Sequence, residues 1–172
     1  MIHTGPRETG DRNVRLREIT MADAPDLYRW RMDETSRPMF RSTEPVSYET
    51  HLEYLRRYFE PGNTDRWFVI EEFGAPVGSI VLYDIDATRG EAEWGRLVIA
   101  PELRSRGLAT RGLSFLVRHA RELGLRRLRC EVLEGNAHAD RLYRASGFVE
   151  SGVKEVDGRR FVQLYLDLED PP

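Results

Sequence analysis

The segment Arg104-Ser105-Arg106-Gly107-Leu108-Ala109, with Thr110 next, is the part of this sequence best suited to hold a charged ligand. Glycine permits close backbone approach, a helix N-terminus presents unpaired N–H groups and partial positive charge, and two arginines add formal charge. Together these suit a pyrophosphate. The plainer reading of the same residues is an arginine-rich loop capping a helix. Other phosphate motifs are missing: no GxxxxGK(S/T) stretch occurs and no GxGxxG follows the first strand, which disfavours nucleoside triphosphate hydrolysis and dinucleotide binding. Cys130 lies in an apolar run and reads as a buried, inert thiol rather than a covalent acyl carrier. His3, His51, His119 and His138 are scattered without metal-ligand spacing, so no catalytic metal is expected.

Hydrophobic periodicity supplies the elements that must position this loop. Val14 and Leu16 mark a short first strand, and Thr20 with Asp23 starts a helix running to about Met32. Ser47 caps a second helix in which Tyr48, Leu52, Leu55 and Phe59 recur as an amphipathic stripe. Trp67 to Glu72 and Val77 to Asp86 form an antiparallel hairpin, and Glu93 to Ile99 the next strand. The arginine loop then leads into a helix bearing Leu113, Leu116 and Ala120 and ended by Gly124. Arg127 to Leu133 is a strand, Ala137 to about Ser146 a helix, and the last two strands turn at Asp157-Gly158. The order is one strand, two helices, three strands, a helix, a strand, a helix and two strands. This describes one mixed-sheet α/β (α+β) domain over residues 14–169 behind a polar leader at 1–13. The strand–loop–helix at residues 93–123 is where a ligand belongs, because strand carboxyl ends border the crevice of an open α/β sheet.

Composition narrows the functional classes. The chain has 172 residues, 40% hydrophobic and 32% charged, enough for one core without a disulfide or structural metal. A single cysteine suits the reducing cytoplasm, and no apolar run approaches the length of a membrane span, so neither a membrane nor an oxidising compartment is expected. Basic residues number 26 against 29 acidic ones, a formal charge of −3. Arg126, Arg127 and Arg129 beside Arg118 and Arg121 therefore read as a solvated face, and no nucleic-acid partner is expected. Only Lys154 among the basic residues is a lysine, so single arginines carry little weight as signals.

Two blocks of the chain resemble the GNAT superfamily of acyl-CoA-dependent N-acetyltransferases. Arg104, Gly107 and Ala109 match its loop pattern Gln/Arg-x-x-Gly-x-Gly/Ala after the fourth strand. Glu131-Val132 through Asn136 to Leu142-Tyr143 and Gly147-Phe148 match its second block of strand, asparagine and tyrosine-bearing helix. The resemblance implies a mostly antiparallel sheet of about seven strands with four helices, split into a V between strands 4 and 5. Acetyl-CoA would lie in the split, held by Leu97, Val98 and Ile99, by Arg104, Ser105, Arg106, Gly107, Leu108, Ala109 and Thr110, and by Asn136 and Arg141. A backbone N–H near Val98 to Ala100 would polarise the thioester carbonyl. Tyr143 would protonate the departing thiolate, and Glu93 or Glu131 would take the amine proton, directly or through water. Asn136 and Tyr143 also have plainer roles, as an N-cap and an aromatic anchor.

The acceptor is read from the less regular N-terminal half. Trp30-Arg31, Met39-Phe40 and Trp94 resemble the branch of the superfamily that acetylates amino-sugar nucleotides, and these five residues are the expected substrate contacts. The same blocks resemble spermidine acetyltransferases and enzymes that acetylate the N-terminal alanine of ribosomal proteins. The expectation is a small-molecule primary amine, preferably on an amino-sugar nucleotide. Polyamine, peptide and aminoglycoside acceptors, and a non-catalytic acyl-CoA-binding module, stand as alternatives. The resemblance also admits a homodimer.

Overall fold

Alternating apolar residues pair into one sheet, and amphipathic helices cover its two faces. The computed structural model describes residues 13–168, so the expected leader, apart from Asn13, and the last expected domain residue, Glu169, lie outside the described residues. The elements are β1 (Val14–Glu18), α1 (Ala24–Met32), α2 (Tyr48–Tyr58), β2 (Arg66–Glu72), β3 (Ala75–Asp86), β4 (Glu91–Ile99), α3 (Leu108–Glu122), β5 (Arg127–Leu133), α4 (Ala137–Ala145), β6 (Val149–Val156) and β7 (Arg159–Asp167). The sheet order is β1-β2-β3-β4-β5-β7-β6, antiparallel throughout except for β4 beside β5. This is the expected mixed α/β architecture. Among the described residues no helix is long and apolar enough to cross a membrane.

Local chemistry fixes the ends of these elements. The β2–β3 and β6–β7 hairpins turn at Phe73-Gly74 (φ 51° and 79°) and Asp157-Gly158 (φ 51° and 72°), the left-handed pairs that two-residue hairpin turns require. The Ser47 hydroxyl accepts from the Thr50 N–H at 3.1 Å and caps α2. The expected stripe of α2 shifts: Leu55 is buried and Leu52 packs against the core, but Phe59 is 44% exposed and His51 is buried, its ring bonded to the Ala24 carbonyl at 3.0 Å. Arg17 donates to Asp23 at 2.7 Å and to Glu71 at 2.5 Å, tying the start of α1 to the sheet.

Two cores result. On one face α3 sets Leu113, Leu116 and Ala120 against Phe68, Ile80, Leu82 and Trp94; on the other, α1 and α2 set Leu27, Trp30 and Leu55 against Val69, Val81 and Val98. Trp30 and Trp94 are 0% exposed. Their expected place against the acceptor is corrected here: each indole is filled in as core, where so large an apolar surface gains most from burial.

The sheet opens at its one parallel pair. Glu91, Ala92 and Glu93 pair with Arg127, Leu128 and Arg129, and beyond that point β4 and β5 no longer pair. A register shift between Ser79 and Val81 accompanies Arg96 at φ 51°, so β4 carries an extra residue opposite β3. A bulge of this kind bends its strand and reverses which face the following side chains meet. Trp94 before it and Leu97 and Ile99 after it pack toward α3, while Val98 packs toward α1 and α2.

Candidate active site

The split between β4 and β5 is bounded on one face by α3 and α4. Gly107, at φ 75°, is the N-cap of α3 and offers no side-chain cap. Arg111 makes the first helical bond, to the Gly107 carbonyl at 3.2 Å, so the N–H groups of Leu108, Ala109 and Thr110 have no partner within the helix. The left-handed φ of Ser105 (63°) shapes the loop before them. A cavity of about 100 Å³ runs along this helix start, between Ile99 of β4, Gly107, Ala109, Thr110 and, from α4, His138 and Leu142. Partial positive charge and open N–H groups at a roomy helix start suit an anionic diphosphate.

The two arginines of the loop are committed elsewhere. Arg104 donates to Thr35 Oγ1 and Ser36 Oγ, both at 2.5 Å, and reaches Asp33 at 3.3 Å. Hydrogen bonds, first from the Thr35 hydroxyl and then from the Ser36 and Thr35 N–H groups, outweigh burial and hold the Asp33 carboxyl down at about 2. Arg106 donates to Glu72 at 2.8 Å. The loop is thus tied to the α1–α2 connection and to β2, while the backbone N–H groups of the helix start have no partner within the helix.

The backbone of β4 narrows the expected oxyanion donor. Ala100 donates its N–H to the Val77 carbonyl at 2.8 Å, which removes it from consideration. Because neighbouring residues of a strand turn their backbone groups to opposite sides, the Ile99 N–H points the other way, into the split. Val98 and Ile99 are nearly buried and Leu97 partly so.

Tyr143 of α4 enters from the α3 face. Its ring meets Trp94 edge-on at 4.8 Å and Phe148 at 6.4 Å. Burial pushes its phenol above the ordinary tyrosine value, with the nearby Cys130 and Tyr83 adding to the rise. Asn136 caps α4, its Oδ1 accepting from Ala139 at 3.3 Å, and lines a second cavity of about 280 Å³ at the end of β5. Arg141 is exposed on α4. Cys130 is buried, and burial raises its thiol far from ionisation at neutral pH.

Carboxylates line the opposite face. Glu93 stands opposite Tyr83 in the β3–β4 register, and the Tyr83 hydroxyl lies where a Cβ on Gly95 would approach to 3.2 Å. Burial pushes the Tyr83 phenol up to about 12, and Glu93 adds to this. Glu131 is paired with Arg41 and lies 3.7 Å from Lys154. Arg159 of β7 donates to the carbonyls of Pro38 (2.6 Å), Phe40 (2.9 Å) and Arg41 (3.3 Å), fastening the connection between α1 and α2 over this face. Arg31, at the end of α1, sets its guanidinium carbon 4.4 Å from the ring centroid of Phe40 in that connection, and Met39 beside it is 47% exposed.

Sequence reasoning missed Tyr83 and Arg96. Tyr83 lies in the same alternating run as Val81, and only the pairing of β3 with β4 sets it beside Glu93. The ion pair of Arg41 spans ninety positions and leaves no local trace.

Residues 24–148 match the model of the Acetyltransferase (GNAT) family. No curated protein sequence matches the chain. Among solved structures, a spermidine N-acetyltransferase from Vibrio cholerae in complex with CoA and spermine superposes with a TM-score of 0.81 at 24% identity, covering 92% of this chain and 97% of that one. A spermidine N-acetyltransferase chimera from Vibrio cholerae and hSSAT gives 0.80 at 22%, covering 91% and 96%. An N-acetyltransferase from Staphylococcus aureus gives 0.73 at 19%, covering 91% and 99%.

Proposed function

The chain belongs to the Acetyltransferase (GNAT) family and is an N-acetyltransferase, and we propose that it moves an acetyl group from acetyl-CoA directly to a primary amine of a small molecule in the β4–β5 split. The observation that carries this reading is the two-sided split itself: an uncapped helix start and a phenol on one face, a carboxylate beside a second phenol on the other.

Bound acetyl-CoA would supply a thioester carbonyl. The N–H groups of Leu108, Ala109 and Thr110 would hold its diphosphate, and the edge of β4 at Leu97 to Ile99 would orient the pantetheine. The Ile99 N–H would stabilise negative charge growing on the carbonyl oxygen. Glu93 would accept the amine proton, directly or through water, as the nitrogen–carbon bond forms. Tyr143, protonated at neutral pH, would give its proton to the sulfur as the carbon–sulfur bond breaks. Glu131, held by Arg41 and Lys154, is better placed to anchor the acceptor loop than to take a proton.

The solved structures lend support to a polyamine acceptor and none to the nucleotide-linked amino sugar expected from sequence. At these identities they carry the fold, so the acceptor is argued from this chain's own residues below. The reaction is tested by acetyl-CoA-dependent thiol release over a panel of amino sugars, polyamines, peptides and aminoglycosides, with the acetylated product identified by mass. Acetylation of one class supports the proposal. Cofactor binding without acetylation of any amine would turn the assignment to a binding module.

A further inference from the structure

Arginines at the acceptor side of the split stand out of ion-pair contact with the chain's own carboxylates, Asp65 acting on Arg96 only at longer range. Arg31, at the end of α1, lies over Phe40 and donates to the Ser42 carbonyl, while its Nη1 is buried without a hydrogen-bond partner. Burial lowers its pKa, and the charges of Arg96 and Arg37 lower it further, so both of those guanidinium groups stand within electrostatic reach of Arg31. Arg96 is exposed on the β4 bulge, 5.5 Å over the Tyr83 ring and 5.6 Å over Tyr54, and it donates to the Tyr54 hydroxyl. None of the three forms an ion pair with a carboxylate among the described residues. The abundance of arginine in the chain does not account for this, since Arg15, Arg17, Arg29, Arg41, Arg104 and Arg106 all have acidic partners.

A shielded guanidinium with an unmet donor and like charges nearby is costly, and an oxyanion offsets both terms. We propose that the acceptor carries an oxyanion, a carboxylate or a phosphate, a few bonds from its amine, and that Arg31 and Arg96 hold that group while Glu93 faces the nitrogen. The inference rests on the acetyltransferase reading given above. Arg96 follows Glu93 by three positions across the bulge and shares Tyr83 with it, so the two ends of such a molecule meet opposite charges over a short span. A polyamine, cationic along its length, meets repulsion at the same place.

Matched amines test this on the native enzyme: glucosamine 6-phosphate against glucosamine, alanine against alaninamide, and spermidine as the polycation. In at least one pair the anionic member is acetylated with kcat/KM about tenfold to a hundredfold above its neutral partner, as charge-assisted hydrogen bonds imply. Spermidine falls below both, and the two pairs separate phosphate from carboxylate. Added salt narrows the ratio. Arg96→Gln and the milder Arg31→Lys each lower the ratio of anionic to neutral turnover, and the ratio is independent of how much of a variant folds. Equal or better turnover of neutral amines or spermidine overturns the proposal and leaves the reaction standing. Failure to acetylate any amine while coenzyme A binds overturns the reaction on which it rests.

Discussion

Glu93 of β4 stands opposite Tyr83 of β3 at the residue where β4 makes its last pairing with β5, and Glu93 raises the Tyr83 phenol beyond what burial alone does. Glu131, one strand over, is instead ion-paired with Arg41 and lies near Lys154. The two acidic residues expected to share one role are therefore in different electrostatic states.

Glu93→Gln is expected to lower kcat by about a hundredfold near pH 7, the low end of the range for a lost general base, with a smaller loss at higher pH, where more of the amine is already neutral. Glu131→Gln releases Arg41 and loosens residues 37–42, so its effect falls mainly on the KM of the amine. Steady-state kinetics of both variants at pH 7 and 9 separates the roles; equal kcat losses would argue against the division.

The pH profile of the native enzyme follows from the upward shift of Tyr143. A general acid is lost as pH rises through its pKa, and here that pKa lies above the ordinary value of about 10. Activity should rise as the acceptor amine deprotonates and hold its plateau to about pH 10. A falling limb near pH 8 would assign the acid to another group.

Gly78 is expected to tolerate no side chain, because a Cβ there would stand 2.4 Å from the Val98 carbonyl oxygen and 2.8 Å from Ile99 Cδ1. Relief requires moving the backbone of β4 itself. Gly78→Ala should destabilise the fold by about 1–3 kcal/mol, the usual range for overpacking, and should push β4 toward β5 and narrow the split. Urea unfolding gives the first quantity and coenzyme A affinity reports the second.

Burial lowers the pKa of His51 and of His119, against a hydrogen bond to Ala24 in the first case and the charge of Glu122 in the second. A base whose folded pKa is depressed binds protons more readily when unfolded, so stability falls as pH drops below about 6.5. The melting temperature should decline between pH 7.5 and 5.5. Replacing both residues with glutamine should flatten that decline even if it lowers the starting value.

What the sequence made legible follows from what is local. The Asp157-Gly158 turn, the Ser47 cap and the glycine at the start of α3 depend on a few adjacent residues, and each stands where its chemistry puts it. The order of strands and helices followed from periodicity in the same way. Pairings that join distant positions left no such trace. Arg104 and Arg106 read as phosphate ligands because nothing nearby showed that Thr35, Ser36 and Glu72 would engage them. Trp30 and Trp94 read as ligand faces because an indole suits a binding surface as well as a core, and only packing decides between the two. The bulge at Arg96, on a residue type that disfavours a positive φ, had no sequence signal.

The central claim is that Tyr143 supplies the proton to the departing sulfur across the β4–β5 split. Thiol release by Tyr143→Phe, measured beside the native enzyme with its best amine and with coenzyme A affinity determined for both, tests it most directly. The account predicts a fall in kcat of about a hundredfold or more at unchanged coenzyme A affinity, since phenylalanine keeps the contacts with Trp94 and Phe148 and lacks only the hydroxyl. An unchanged kcat would contradict it and leave Tyr143 as an aromatic anchor of α4.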